Sequence, residues 1–175
     1  MKTDLSKVDS SFSKKIISWY DINGRTNLPW RTNITPYRVW ISEIMLQQTQ
    51  VKTVIPFFKK FIKKYPNLKS LSEATEEDIL ALWTGLGFYR RAKNIFKSKE
   101  ILKKDFKNIF PKTFENIVSL PGIGESTAGA IMSIAYKRTF PILDANVKRT
   151  LSRFELIKND SITTSNKVLW GVSRI

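Results

Sequence analysis

Apolar residues recur at the spacing of a helix along almost the whole chain, and no stretch alternates apolar with polar as a half-buried strand would. Phe12, Ile16, Ile17 and Tyr20 form a short amphipathic stripe. Tyr37, Trp40, Ile41, Ile44 and Met45 repeat the pattern within residues 37–50. On the next helix Phe57, Phe58, Phe61 and Ile62 predict a core face, and Lys59, Lys60, Lys63 and Lys64 a wet one. Pro56 should fall in that helix's first turn, because its ring removes an amide donor that only the first turn can spare. Thr75 followed by Asp78 reads as a capping-box-like start for a short helix over 75–83. Further helices are expected over 89–104, 114–120, 125–137 and 146–154. The connections between them are short and carry Gly or Pro, so the fold class is all-α, a bundle of small helices.

A weak internal repeat sits between pairs of these helices. Leu82-Trp83-Thr84-Gly85-Leu86-Gly87 ends one helix and opens another, and Leu120-Pro121-Gly122-Ile123-Gly124 does the same. Glycine permits backbone angles and close approaches that a Cβ blocks. The amides that open the second helix of each pair can then face a phosphate. A plain Gly-capped turn has the same local pattern. Two such turns in a chain of formal charge +15 favour phosphate. The second string, running on into Ser126-Thr127-Ala128-Gly129-Ala130, is the more specific; it resembles a helix–hairpin–helix that grips a DNA strand without reading its bases.

That charge comes from 30 Lys and Arg against 15 Asp and Glu in 175 residues, and with a pI near 10.1 it points to a polyanionic partner. Because 21 of the 30 are Lys, compositional bias could yield the same balance, so charge alone does not decide for nucleic acid. With no Cys there is no thiolate nucleophile and no thiolate-held zinc or iron–sulfur cluster within this chain; with no His there is no His-based triad. No metal site is expected from the residues present. Acid–base work falls to Asp, Glu, Lys or Tyr. No apolar run approaches the roughly 18–20 residues of a membrane span, and the first residues, with Asp4 and Asp9, lack a signal-peptide core. A soluble intracellular protein with no membrane partner is the expectation.

Two carboxylates stand in unusual places. Glu43 interrupts Val39-Trp40-Ile41-Ser42-Glu43-Ile44-Met45-Leu46, where an unpaired charge is expensive to bury. Desolvation would favour its protonated form and suit it to general acid or base work; an outward-facing glutamate is the equal alternative. Asp144 precedes a helix, where Asp is a preferred N-cap. A carboxylate that accepts helix amides stays ionised. One protonated and one ionised carboxyl group is the division of labour that cleaves glycosides, and a nucleobase on deoxyribose is a glycoside.

Trp30-Arg31, Thr35-Pro36-Tyr37, Ser42 to Gln50 with its Met-Leu-Gln-Gln-Thr-Gln string, Leu82 to Tyr89, the second hairpin and Asp144 to Arg149 together closely resemble the adenine DNA glycosylases of the MutY type, over roughly Trp19 to Arg153. The resemblance implies the helix–hairpin–helix glycosylase fold, similar to endonuclease III. It implies excision of adenine mispaired with 8-oxoguanine or guanine, flipped out of double-stranded DNA. Glu43 would protonate adenine and assist water, and Asp144 would stabilise the sugar cation. Trp30, Arg31, Ser126 and Asn146 would surround the pocket. Gln47, Gln48 and Thr49, with Gly85, Leu86, Gly87 and Phe88, would meet the DNA; Gln48, Leu86 and Phe88 would probe or wedge its stack. Gly122, Ile123 and Gly124 would hold the backbone through amides, with a monovalent cation at that hairpin's carbonyls. Ser126 stands where relatives with strand-cleaving activity carry a lysine. A serine cannot form a Schiff base, so a monofunctional enzyme is implied.

The family normally continues into a four-Cys [4Fe–4S] module and a separate 8-oxoguanine-recognition domain. Here the chain stops at Ile175, drifts from the family after Trp170 and has no Cys ligands, so residues 1–175 are expected to be a single catalytic domain, incomplete at its C-terminus. A truncated gene is the preferred explanation over a fragment or a minimal enzyme. Ala145 replaces the family's usual Gly. The resemblance further implies a cytoplasmic, monomeric protein. Its rivals are a catalytically inactive DNA-binding remnant and, opposed by Ser126, an endonuclease III-like lyase.

Overall fold

The computed structural model describes residues 10–154 and 162–173, and all their regular structure is helical. The helices are α1 (Ser10–Asn23), α2 (Pro36–Leu46), α3 (Val51–Lys64), α4 (Leu68–Leu71), α5 (Glu76–Trp83), α6 (Arg90–Phe106), α7 (Phe114–Val118), α8 (Glu125–Ile134), α9 (Ala145–Phe154) and α10 (Ile162–Ser173). They divide between two compact units. Asn27–Phe140 forms one, and among the described residues those up to Thr26 join those from Pro141 in the other.

The larger unit is built around α2. Thr35 caps it by accepting from the Arg38 amide, and Pro36 fills the first turn, where its missing N–H costs nothing. Tyr37, Val39, Trp40, Ile41, Ser42, Ile44 and Met45 are all buried, because α3, α6 and α8 pack around the helix. α3 buries Val54, Phe58 and Phe61 and leaves Lys59, Lys60, Lys63 and Lys64 exposed, as its pattern predicts. Pro56 departs from expectation. It lies inside the helix, beyond the first turn, on the exposed side, where water can serve the carbonyl left without a donor. The capping box at Thr75 and Asp78 forms as its spacing predicts, with reciprocal bonds of 3.1 and 3.2 Å.

The expected helix over 37–50 ends early, at Leu46. Gln47 leaves helical geometry at ψ 116°, and Gln48 turns left-handed at φ 56°. Gln47, Gln48 and Thr49 therefore occupy a turn between α2 and α3.

The smaller unit packs α9 against α10 around Leu143, Leu151, Leu169 and Val172, and Phe12 of α1 stacks on Phe154 at 3.9 Å. The apolar stripe on α1 is not a buried face. Ile16 and Ile17 are exposed, as are Trp19 and Ile22, because this small core takes up Phe12 alone of the large α1 side chains that the stripe offered as a buried face.

Candidate active site and nucleic-acid interface

Glu43 stands half-buried on α2, between the buried Ser42 and Ile44, one turn before the helix ends. The carbonyls at that end are collected by Arg91. Its Nη1 donates to the oxygens of Ile44, Met45 and Gln47 at 3.1, 2.7 and 2.6 Å, and its Nη2 to that of Gly87 at 3.2 Å. Burial pulls the Arg91 pKa below the usual guanidinium range. No motif in the sequence points to this residue. A single signal could have found it: a cation in the first turn of a helix opposes the helix dipole and needs another reason to be there.

The first hairpin is also held by Trp83, whose Nε1 donates to the Gly87 carbonyl at 2.9 Å. Gly85 and Gly87 have φ of 95° and 77°. Leu86, expected as a wedge beside Phe88, is only 5% exposed and belongs to the core. Phe88 alone of the two stands at the surface, 56% exposed and left-handed at φ 49°.

In the second hairpin Gly122 is left-handed at φ 81°, and a Cβ there would meet the Asn94 side chain at 2.7 Å. Ile123 is buried. Gly124 differs: it is extended at φ −93°, and a Cβ would meet nothing within 4 Å. Gly124 supplies no side-chain cap to α8, and the amides that open a helix are the groups an anion can meet. The hairpin's carbonyls are turned inward. Leu120 accepts from the Ile123 amide, Pro121 from Ser98 and Gly122 from Gln47 Nε2, at 3.1, 3.0 and 3.2 Å. A monovalent cation at these oxygens would have to share them with those donors. The Gln47 bond ties the turn after α2 to the second hairpin, as Arg91 ties it to the first.

Trp30 is buried with its ring edge-on to Phe58, while Arg31 beside it is exposed. Ser126 is half-buried in the first turn of α8. Asp144 and Asn146 belong to the smaller unit. Asp144 is exposed and caps α9, accepting from the Asn146 and Val147 amides at 2.9 and 2.8 Å. Arg149 Nη2 donates to Asn146 Oδ1 at 2.9 Å. Among the described residues no three His, Cys, Asp or Glu gather as metal ligands, and a chain without Cys offers no thiolate to an iron–sulfur cluster. No described helix is long and apolar enough to cross a membrane.

Two glycine hairpins are thus tied to the end of one helix in a strongly basic chain. The profile of the HhH-GPD superfamily base excision DNA repair proteins matches residues 41–172. The chain belongs to the HhH-GPD superfamily. Within it, the chain is 55% identical over 165 residues to the adenine DNA glycosylase of Buchnera aphidicola subsp. Acyrthosiphon pisum (strain APS). That alignment takes in 92% of this chain and 46% of the relative, so the chain spans about half the length of the relative it matches. Among solved structures, a thermostable thymine-DNA glycosylase superposes with a TM-score of 0.81 at 24% identity, covering 94% of this chain and 76% of that one. Endonuclease III, trapped in a covalent complex with DNA, superposes at 0.74 and 19% identity, covering 94% and 81%. At such identities the likeness is one of fold, and it bears out the all-α, endonuclease III-like HhH-GPD architecture expected from the sequence.

Proposed function

We propose that this chain is the catalytic domain of an adenine DNA glycosylase. It would remove adenine mispaired with 8-oxoguanine or guanine from double-stranded DNA by hydrolysis, without cleaving the strand. The observation that carries this reading is the 55% identity to a protein named adenine DNA glycosylase. The two units would serve together as one domain, monomeric and cytoplasmic.

Each residue has its own part in that reaction. Glu43, half-buried on α2, protonates the extruded adenine and later assists water. Asp144, oriented by the α9 amides, opposes the positive charge that develops on the sugar. In this reading Arg31 and Ser126, and Asn146 from the smaller unit, are the residues that would meet the base, with Trp30 buried beside Arg31. Ser126 has no amine with which to attack the sugar, so the product is an intact strand with an abasic site. Gln48, Thr49 and Phe88 meet the opened stack, Gly85 and Gly87 shape the turn that carries Phe88, and the amides from Gly122 to Gly124 hold a phosphate.

Single-turnover release of adenine opposite 8-oxoguanine, with alkali used to reveal abasic sites, tests the reading. Glu43→Gln should reduce release by about 10² to 10⁴-fold, because the amide cannot deliver a proton, and leave duplex binding intact. Equal release by the parent and the variant removes Glu43 from its role. Strand breaks from the parent without alkali overturn the hydrolytic assignment. Tight binding with no release shows that the chain keeps only its DNA-binding function.

A further inference from the structure

Arg91 is 6% exposed, and its two Nη groups donate to main-chain carbonyls from two segments far apart in sequence. Three of those oxygens end α2, the helix that carries Glu43, and open the Gln47–Thr49 turn. The fourth belongs to Gly87, directly before Phe88. The partial negative charge at the end of α2 offsets the cost of keeping a cation there. The guanidinium carbon also lies 5.5 Å from the Trp83 ring centre and 5.2 Å from that of Phe88, within cation–π range. One planar group thus touches every strand of backbone from which a stack-probing side chain departs, and the last turn behind the acid.

We propose that Arg91 is a positioning residue for base excision: its guanidinium locks the Glu43 helix, the Gln48 turn and the Phe88 hairpin into one register. The side chains that open the DNA stack and the acid that meets the extruded base then keep a fixed relation. The proposal rests on the glycosylase reading above. It makes Arg91 indispensable for a reason other than charge. A lysine keeps the cation but has a single ammonium centre, and cannot span carbonyls from both segments in a rigid fork.

The test uses Arg91→Lys in the full chain, with three readouts: duplex affinity on undamaged DNA, single-turnover adenine release, and amide hydrogen exchange. Affinity should stay within about threefold, since the phosphate-facing amides of α8 are untouched. Release should fall about 10- to 100-fold, the penalty for misplacing a catalytic group by around an ångström. Exchange should quicken together at residues 47–49 and 87–89 and remain unchanged in α7. Parental exchange and parental release would overturn the proposal. So would a uniform loss of protection across the larger unit, which marks a merely structural residue. If the lysine variant does not fold, Trp83→Phe takes its place: it removes the second donor to the Gly87 carbonyl and shrinks the ring against which the Arg91 guanidinium lies. Its release should fall several-fold with affinity unchanged, and an unchanged rate would refute the coupling. If the parent itself releases no adenine, the glycosylase reading fails, and the paired exchange response alone decides whether Arg91 couples the two segments.

Discussion

In the first hairpin Gly85 and Gly87 are both left-handed, and Phe88 follows them into the same region at φ 49°. In the second, Gly122 is left-handed and Gly124 is extended. The middle residues agree: Leu86 and Ile123 are each 5% exposed, plugged into the same core. The same short string therefore builds two devices. The first turns an aromatic side chain out to solvent, and the second opens α8 with no side-chain cap. The buried aliphatic anchors each turn, and the second glycine sets what is displayed.

Removing an anchor should have the largest effect. Leu86→Ala and Ile123→Ala each leave a cavity under a hairpin and should cost about 2–5 kcal/mol in denaturant unfolding. If one costs far less than the other, the hairpins do not share an anchoring principle.

The glycines come next. Gly122→Ala puts a Cβ onto Asn94 at a left-handed residue and should cost about 1–3 kcal/mol. Gly124→Ala has open space and ordinary backbone, so stability should change by less than about 0.5 kcal/mol. Its methyl would instead stand where a phosphate approaches α8. Duplex affinity, followed by anisotropy across a salt titration, should fall for all sequences alike. A stable Gly124→Ala with parental affinity would mean that this hairpin does not hold DNA through its amides.

The smallest effect concerns α5 and α7, the helices that lead into the hairpins. Asp78 accepts from Lys64 and from the Thr75 amide, which holds its carboxyl below the usual carboxylate range. That contribution is complete above the unfolded carboxylate's ordinary value and is lost as pH falls through the lowered one. α7 is capped by the neutral Thr113 hydroxyl. Acidification should therefore lower amide protection, taken relative to intrinsic exchange at each pH, in α5 before α7, modestly because the pair is exposed. Equal responses in α5 and α7 would mean that the charged cap and the neutral one hold their helices alike.

Helical period made most of the fold legible, since a buried face repeats every three to four residues whatever lies opposite. It misjudged α1, because a stripe says which side is apolar and not whether a core exists to receive it. It also ran α2 through Gln50, where the chain in fact turns at Gln47. Thr75 with Asp78 and Asp144 before α9 were readable because a cap bonds amides two or three residues away. Leu86 and Phe88 looked alike in sequence, and only packing separated the plug from the exposed ring.

What the sequence determined by itself is local or compositional: the helices and their starts, the two glycine turns, the basic charge, the absence of Cys and His, and a residue without an amine, Ser, at position 126. Each follows from bonds and sterics within a few residues, or from a residue type that is simply present or not. The tertiary structure decided where α2 stops, which glycine can bear a side chain, and that Arg91 gathers Ile44, Met45, Gln47 and Gly87. The last depends on carbonyls more than forty residues from the guanidinium that holds three of them, and burial strengthens such bonds by excluding the water that would compete for them.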